Sequence, residues 1–155
     1  MKKTNAVRIL ESQKIPYKTF EYEVDESDVS GKSVSRKIGA DEDRIFKTLV
    51  TRDDKNNILV YCVPVSQELN LKKAASAAGS KKIEMIKQNE LLPLTGYVRG
   101  GCSPIGMRKN YPVFIEETAQ IMEKVFISAG IRGLQVEIAA SDLALITNAK
   151  FADVI

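Results

Sequence analysis

Two stretches hold the residues whose types and spacing could do chemistry. Thr95 to Gly106 gathers four glycines and Pro104 into one short run. Glycine permits backbone conformations and close approaches that a Cβ forbids, and proline fixes its own φ and restricts Ser103 before it, so the run is a shaped loop. The Gly100-Gly101 pair could turn two amide N–H groups toward one point, which suits a phosphate or a developing oxyanion. A tight turn between strands is the alternative. The second stretch is Arg44 to Thr51. Strand alternation puts Ile45, Lys47 and Leu49 on one face and Phe46, Thr48 and Val50 on the other, both largely apolar. Lys47 therefore points into surroundings where an ammonium is costly unless an anion or a cleft receives it, or unless it snorkels to the sheet edge.

The chain has no histidine. That removes every Ser-His-Asp or Cys-His arrangement, because the base those nucleophiles need is missing, and with only Cys62 and Cys102 in the chain it removes a Cys/His metal site too. Neither metal nor cofactor is expected. With 155 residues, 44% hydrophobic and 28% charged, the chain is expected to form a single domain over residues 1–155. A net charge of +3 allows an anionic partner but shows no concentrated basic stripe. Met1 to Ala6 is charged and runs into an amphipathic segment, and no long apolar run follows, so the expectation is a cytoplasmic protein with free thiols and no membrane contact.

The elements that must position these residues follow from periodicity and punctuation. A helix is expected from Thr4 to Gln13, a strand from Tyr17 to Val24 with Phe20 and Tyr22 inward, and a helix from Ser33 to Ile38 closed by Gly39. Gly31-Lys32-Ser33 lacks the first glycine of a phosphate-binding loop and reads as a capped helix start. Asp53 to Asn57 reads as a hairpin turn before a buried strand from Ile58 to Val65, followed by a helix from Glu68 to Ala78. Lys72, Lys73, Lys81 and Lys82 surround that helix, a solvated face or a phosphate-attracting one. A short helix from Glu84 to Leu92 is expected to end at Pro93. Strands follow at Pro112–Ile115, Val125–Gly130 and Leu134–Ile138, with Ser141-Asp142 capping a last helix to Thr147. The pattern predicts an α/β (α+β) fold, a mixed curved sheet or small barrel surrounded by helices.

Four separated segments then carry a resemblance: Lys3-Thr4-Asn5-Ala6, Phe46-Lys47-Thr48-Leu49-Val50, Gly96-Tyr97-Val98-Arg99-Gly100-Gly101-Cys102-Ser103-Pro104-Ile105-Gly106 and Ser128-Ala129-Gly130-Ile131-Arg132-Gly133-Leu134-Gln135. Together, and in this order over nearly the whole chain, they resemble the YbaK/EbsC family of cysteinyl-tRNA(Pro) deacylases. The resemblance implies a trans-editing hydrolase that removes cysteine wrongly attached to the 3′ end of tRNA(Pro) by prolyl-tRNA synthetase, with that synthetase as a partner. On it, Lys47 matches the family's essential lysine, and Gly100 and Gly101 supply backbone contacts near the ester. Thr48, Ser103 and Pro104 stand in the shared motifs as substrate-binding positions, Ser128 and Asp142 match polar positions of the pocket, and Phe20 or Tyr22 matches an aromatic one.

The chemistry proposed for that family suits a chain without histidine: the substrate cysteine's own thiol attacks its ester carbonyl, and the protein positions and stabilises. Two positions depart from the pattern. Cys102 stands where relatives more often carry an aliphatic residue, and it reads as a small apolar substitute rather than a nucleophile. Val24 stands where many relatives have a histidine. An alanyl-tRNA(Pro) deacylase using water, or a non-catalytic tRNA- or synthetase-binding module, are the alternatives.

Overall fold

Strand pairing divides the chain into two sheets. The structure, a computed structural model, describes residues 3–155, so Met1 and Lys2 of the charged N-terminal stretch lie outside it. The elements in chain order are α1 (Asn5–Ser12), β1 (Lys18–Glu21), α2 (Gly31–Ile38), β2 (Phe46–Asp53), β3 (Ile58–Pro64), α3 (Leu71–Ala78), β4 (Ile83–Met85), α4 (Leu91–Thr95), β5 (Val113–Glu116), α5 (Ala119–Met122), β6 (Lys124–Ser128), β7 (Leu134–Ala139), α6 (Ala140–Thr147) and β8 (Lys150–Ala152). One sheet is antiparallel, ordered β1-β7-β6; the other is mixed, ordered β4-β2-β3-β5-β8, with β5 and β8 parallel to their neighbours. Between a curved sheet and a barrel, the outcome is two sheets that do not close, with one isolated parallel bridge between them among the described residues, Ile45 to Phe126.

Local chemistry sets most of these boundaries. Thr4 caps α1 by accepting the Val7 N–H at 3.2 Å, and its hydroxyl donates to the Ala129 carbonyl at 2.6 Å, tying the helix to the end of β6. Ser30 caps α2 and Asn70 caps α3, and left-handed Gly39 and Gly79 end them. Three expectations are corrected. Glu84 to Leu92 is not one helix: β4 pairs with β2, a 3-10 turn spans Gln88–Glu90, and α4 follows. Arg52 holds that turn through paired bonds to Glu90 at 3.2 and 2.6 Å. Pro93 lies inside the first turn of α4, where a missing N–H costs nothing. The last helix begins at Ala140, with Asp142 in its first turn rather than at its cap. The expected tail after it is a strand, β8.

The main core lies where both sheets meet α1 and α6. Val7 and Leu10 of α1, Val50 of β2, Cys62 of β3, Val125 and Ile127 of β6 and Leu143 of α6 are all buried in it. A second cluster on the other face of the mixed sheet places Tyr61 and Val63 under Ala74 and Ala75 of α3. Each fully buried Leu or Ile contributes roughly 1.5–3 kcal/mol by leaving water, so the fold stands without disulfides. The carboxylate of Glu116, itself buried, accepts the N–H groups of Thr118 and Val154 and fastens the final residues beside β5.

The β2–β3 turn is pinned by Asp53. Burial pushes its carboxyl up, but bonds from the Asn57 N–H and side-chain amide, the Ser80 hydroxyl and the Lys55 N–H outweigh burial and hold it at about 2. Because the folded value lies below the ordinary 3.8, the contribution is complete above about pH 4 and is lost as pH falls toward 2. The stability difference between wild type and Asp53→Asn, measured by urea unfolding, should therefore narrow from pH 4.5 to pH 2; a difference independent of pH would contradict this account.

Candidate active site

The single bridge between the sheets sets the site. From Ile45 and Phe126, β2 and β6 run on in the same direction, so Lys47 and Ser128, each two residues further, lie abreast roughly 7 Å along. Two residues also restore the side-chain direction, so Lys47 and Ser128 face the side on which Ile45 and Phe126 pack. Among the described residues no ladder joins β2 to β6 beyond the bridge, and β4 covers β2 only at Thr51–Asp53. A cavity of about 270 Å³ occupies the resulting gap, with Lys47, Thr48, Gly100, Cys102, Ser128 and Gln135 in its wall and Val29, Gly31 and Val34 at the start of α2 above it. A second cavity of about 250 Å³ adjoins it, sharing Thr48, Leu49, Arg99, Gly100 and Cys102 and continuing past Met85, Lys87 and Leu91.

The charge in these cavities is one-sided: Lys47, Arg99 and Lys87 line them and no described carboxylate does. Lys47 Nζ lies 3.7 Å from Glu68 Oε1, too far for a hydrogen bond, and the Glu68 side chain is 95% exposed, so this pair is weak and open to competition by an incoming anion. Of the two expectations for Lys47, a receiving cleft or the sheet edge, a cleft is present. Gln135, paired across the strands with Ser128, is buried, and its Oε1 has no hydrogen-bond partner among the described residues.

The two glycines of the loop differ. The Gly101 N–H donates to Val98 O at 3.0 Å and is spent closing the turn. The Gly100 N–H meets no acceptor among the described residues. Its orientation is fixed from behind, because Arg132 Nε donates to Arg99 O at 2.7 Å and a planar trans peptide turns the Gly100 N–H away from that oxygen. The same guanidinium donates to Glu26 at 2.5 Å, joining the 25–30 loop to the glycine loop. That loop is itself held by Asp25, whose carboxyl the Ser27 hydroxyl and N–H keep below its ordinary value. Gly100 has φ +86°, and a Cβ there would sit 3.0 Å from Val29 and 3.1 Å from Arg132, so any other residue is strained there.

Of the residues singled out in the sequence, Lys47, Thr48, Gly100 and Ser128 come together around the cavity, and Gly101 supports it from the second layer. The others do not line these two cavities, although Tyr22 shares a small neighbouring one with Val29, Val34 and Gly100. Phe20 packs edge-on against Phe126 at 5.3 Å, and Tyr22 stands 6.0 Å beneath the Lys37 ammonium. Ser103 is fully buried and accepts the Ile105 N–H, Pro104 lines a different groove, and Asp142 lies in α6 beyond the far end of β7. Arg99 and Gln135 were not singled out. Gln135 sits at an inward position of a strand whose register with Ser128 only pairing reveals, and Arg99 is an exposed loop residue.

Residues 28–145 match the family described as the aminoacyl-tRNA editing domain. The chain is 46% identical over 152 residues, 98% of its length and 93% of the relative's, to a protein of Enterococcus faecalis named "Putative Cys-tRNA(Pro)/Cys-tRNA(Cys) deacylase EbsC". It is 29% identical over 96 residues, 62% of its length, to 17% of a proline–tRNA ligase of Shouchella clausii. A solved structure described as "Crystal structure of a putative trans-editing enzyme for prolyl tRNA synthetase" shares the fold, with a TM-score of 0.83 at 23% identity over 99% of this chain and 98% of that one. The chain belongs to the aminoacyl-tRNA editing domain family. Its activity is accordingly that of an aminoacyl-tRNA deacylase, a hydrolase acting on the ester between amino acid and tRNA. No described helix is long and apolar enough to cross a membrane.

Burial pushes the Cys102 thiol up to about 12 against a smaller downward pull from the Thr95 hydroxyl. At pH 8 its thiolate fraction is then roughly 10⁻⁴, against about 0.2 for a free cysteine. Iodoacetamide should alkylate Cys102 in the folded protein about three orders of magnitude more slowly than after denaturation. Alkylation at the rate of free cysteine in the native protein would restore Cys102 as a candidate nucleophile.

Proposed function

We propose that this deacylase removes cysteine from cysteinyl-tRNA(Pro), with the substrate's own thiol as nucleophile. The observation that carries the reading is what the cavity offers: cations, a free backbone donor and polar side chains, with no histidine and with its thiol held protonated. Such a site can hold and polarise an ester but brings no nucleophile of its own. The name of the Enterococcus faecalis relative supports the choice of amino acid, and the similarity to a proline–tRNA ligase supports the choice of tRNA.

In the step proposed, the cysteinyl sulfur attacks the ester carbonyl carbon. A C–S bond forms, the C–O bond to the terminal ribose breaks, and the thiol proton passes to the departing ribose oxygen. The β-thiolactone released is opened by water to free cysteine. The Gly100 N–H, held outward by Arg132, donates to the carbonyl oxygen as charge develops; a donor so placed is worth roughly 3–4 kcal/mol of transition-state stabilisation. Lys47 pairs with the negative charge at the terminal nucleotide in place of Glu68. Ser128 and Gln135 offer a hydroxyl and a carbonyl to the α-amino group, and the terminal nucleoside extends into the adjoining cavity beside Arg99. Holding thiol and carbonyl at attack distance supplies the remaining advantage. Binding alone separates amino acids that differ by one small group by only ~1–3 kcal/mol, so a step that requires the thiol excludes alanine and proline where fit would not.

Incubation with cysteinyl-tRNA(Pro) and alanyl-tRNA(Pro) should release cysteine and spare alanine, and S-methylation of the substrate cysteine should abolish release. Release of alanine alone would replace this reading with a water-using editing enzyme. Lys47→Ala should lower deacylation by at least roughly 10²-fold with an unchanged circular dichroism spectrum; unchanged activity would remove Lys47 from the site. We further infer that a cytoplasmic prolyl-tRNA synthetase presents the tRNA, which a pull-down with and without tRNA tests by retention only in its presence.

A further inference from the structure

A second concave surface, larger than either cavity of the ester site, lies apart from it. It is a groove of about 750 Å³ between α1, the 104–112 segment, the end of α6 and β8. Its polar lining is free to meet a ligand. Asn5, Gln13, Lys109, Asn110, Asn148 and Lys150 all reach it from exposed positions, and none of their side chains makes a hydrogen bond or ion pair with another described residue. None of the described residues lining it is acidic. Exposed cations without an ion pair occur elsewhere on the molecule, Lys81 and Lys82 among them; what sets this groove apart is that two lysines share one concave surface with four amides and no carboxylate. Two unpaired ammonium groups among four free amides form a surface rich in donors, with positive charge and nothing to repel an anion.

We propose that this groove is the seat of an RNA strand, bound through its phosphodiester backbone. The free lysines neutralise phosphates and release counterions, and the amides donate to phosphate and ribose oxygens, a pattern that reads backbone rather than sequence. The position fits the ester site. Pro104 to Gly106 form part of the groove and belong to the loop whose Gly100 lines the ester cavity, and the three residues from Gly101 to Pro104 span at most roughly 11 Å. Gly106, at φ +78°, lets the Asn5 amide lie against it; a Cβ there would sit 2.9 Å from Asn5 Nδ2. One RNA can thus lie in the groove while its 3′ end reaches the cavity on the other side of the loop. The inference rests on tRNA as the family's substrate but not on which amino acid is removed.

The test is binding of uncharged tRNA to the full chain by fluorescence anisotropy over a range of salt concentrations, which is independent of any ester chemistry. The double variant Lys109→Gln/Lys150→Gln should weaken binding at least fivefold at 0.15 M salt and make the log–log salt slope shallower by roughly 1.4–1.8, about 0.7–0.9 per lost contact. The control Lys81→Gln/Lys82→Gln carries the same loss of charge at exposed positions beyond α3 and should stay within twofold of wild type. Equal loss in both variants would reduce the effect to net charge and overturn the proposal. So would unchanged affinity in the first variant, loss of synthetase binding with tRNA binding intact, or no tRNA binding by the wild type; none of these bears on whether the ester cavity cleaves cysteinyl-tRNA.

Discussion

The parallel contact between Ile45 and Phe126 is the constraint on which the rest of the structure depends. Among the described residues it is the one point at which the backbones of the two sheets pair, so the strands are in register at the bridge and unpaired beyond it. A continuous ladder would have closed the gap and removed the cavity. Complete separation would have exposed the apolar faces that meet in the main core. Val65 clusters with Ile45 and Phe126, and the ring of Phe20 packs edge-on against Phe126, which keeps the divergence fixed. The opening is thus a consequence of packing, and the polar residues that face it inherit their separation from it.

What faces the opening is a set of donors and cations rather than a reactive side chain. Lys47 is placed by alternation, Ser128 by its register with the bridge, and Gly100 by the Arg132 side chain behind it. Apart from Glu68, which stands loosely beside Lys47, two nearby acidic residues are turned to other partners: Glu26 is engaged by Arg132, and Glu90 by Arg52. Two carboxylates that could have neutralised the cleft are instead used to fasten its walls. The low local density of negative charge follows from that division of labour, and it matches a substrate that ends in phosphates and an ester.

Much of this was legible in the residues. The alternation around Lys47 asked for a cleft, an anion or a route to the sheet edge, and the glycine run for a shaped loop or a tight turn. The helix caps and stops at Thr4, Gly39 and Gly79 came from local chemistry that needs no knowledge of the fold. What was not legible depended on register and on distance through space. Gln135 and Ser128 lie in different strands, and only their pairing places both at the cavity. Asp142 shares a motif neighbourhood with them, but at about 3.3 Å per residue β7 carries the chain well past the site before α6 begins. Phe20 faces inward as alternation demands, yet the inside it faces is the packing behind the bridge. The division between Gly100 and Gly101 was hidden for the same reason, since nothing in a Gly-Gly pair says which amide a turn will consume.

The glycine loop is also fastened to one other segment. A Cβ on Gly101 would lie 3.1 Å from the Ile131 and Arg132 backbone, a Cβ on Gly130 would lie 3.1 Å from Tyr97, and Arg132 grips the Arg99 carbonyl. Two stretches some thirty residues apart in sequence interlock like the halves of a clasp, each shaped to the absence of side chains on the other. The loop is therefore not a portable module. Moved alone into another scaffold, it would lose the surface that gives it form, and the smallest unit able to carry this backbone geometry elsewhere is the pair.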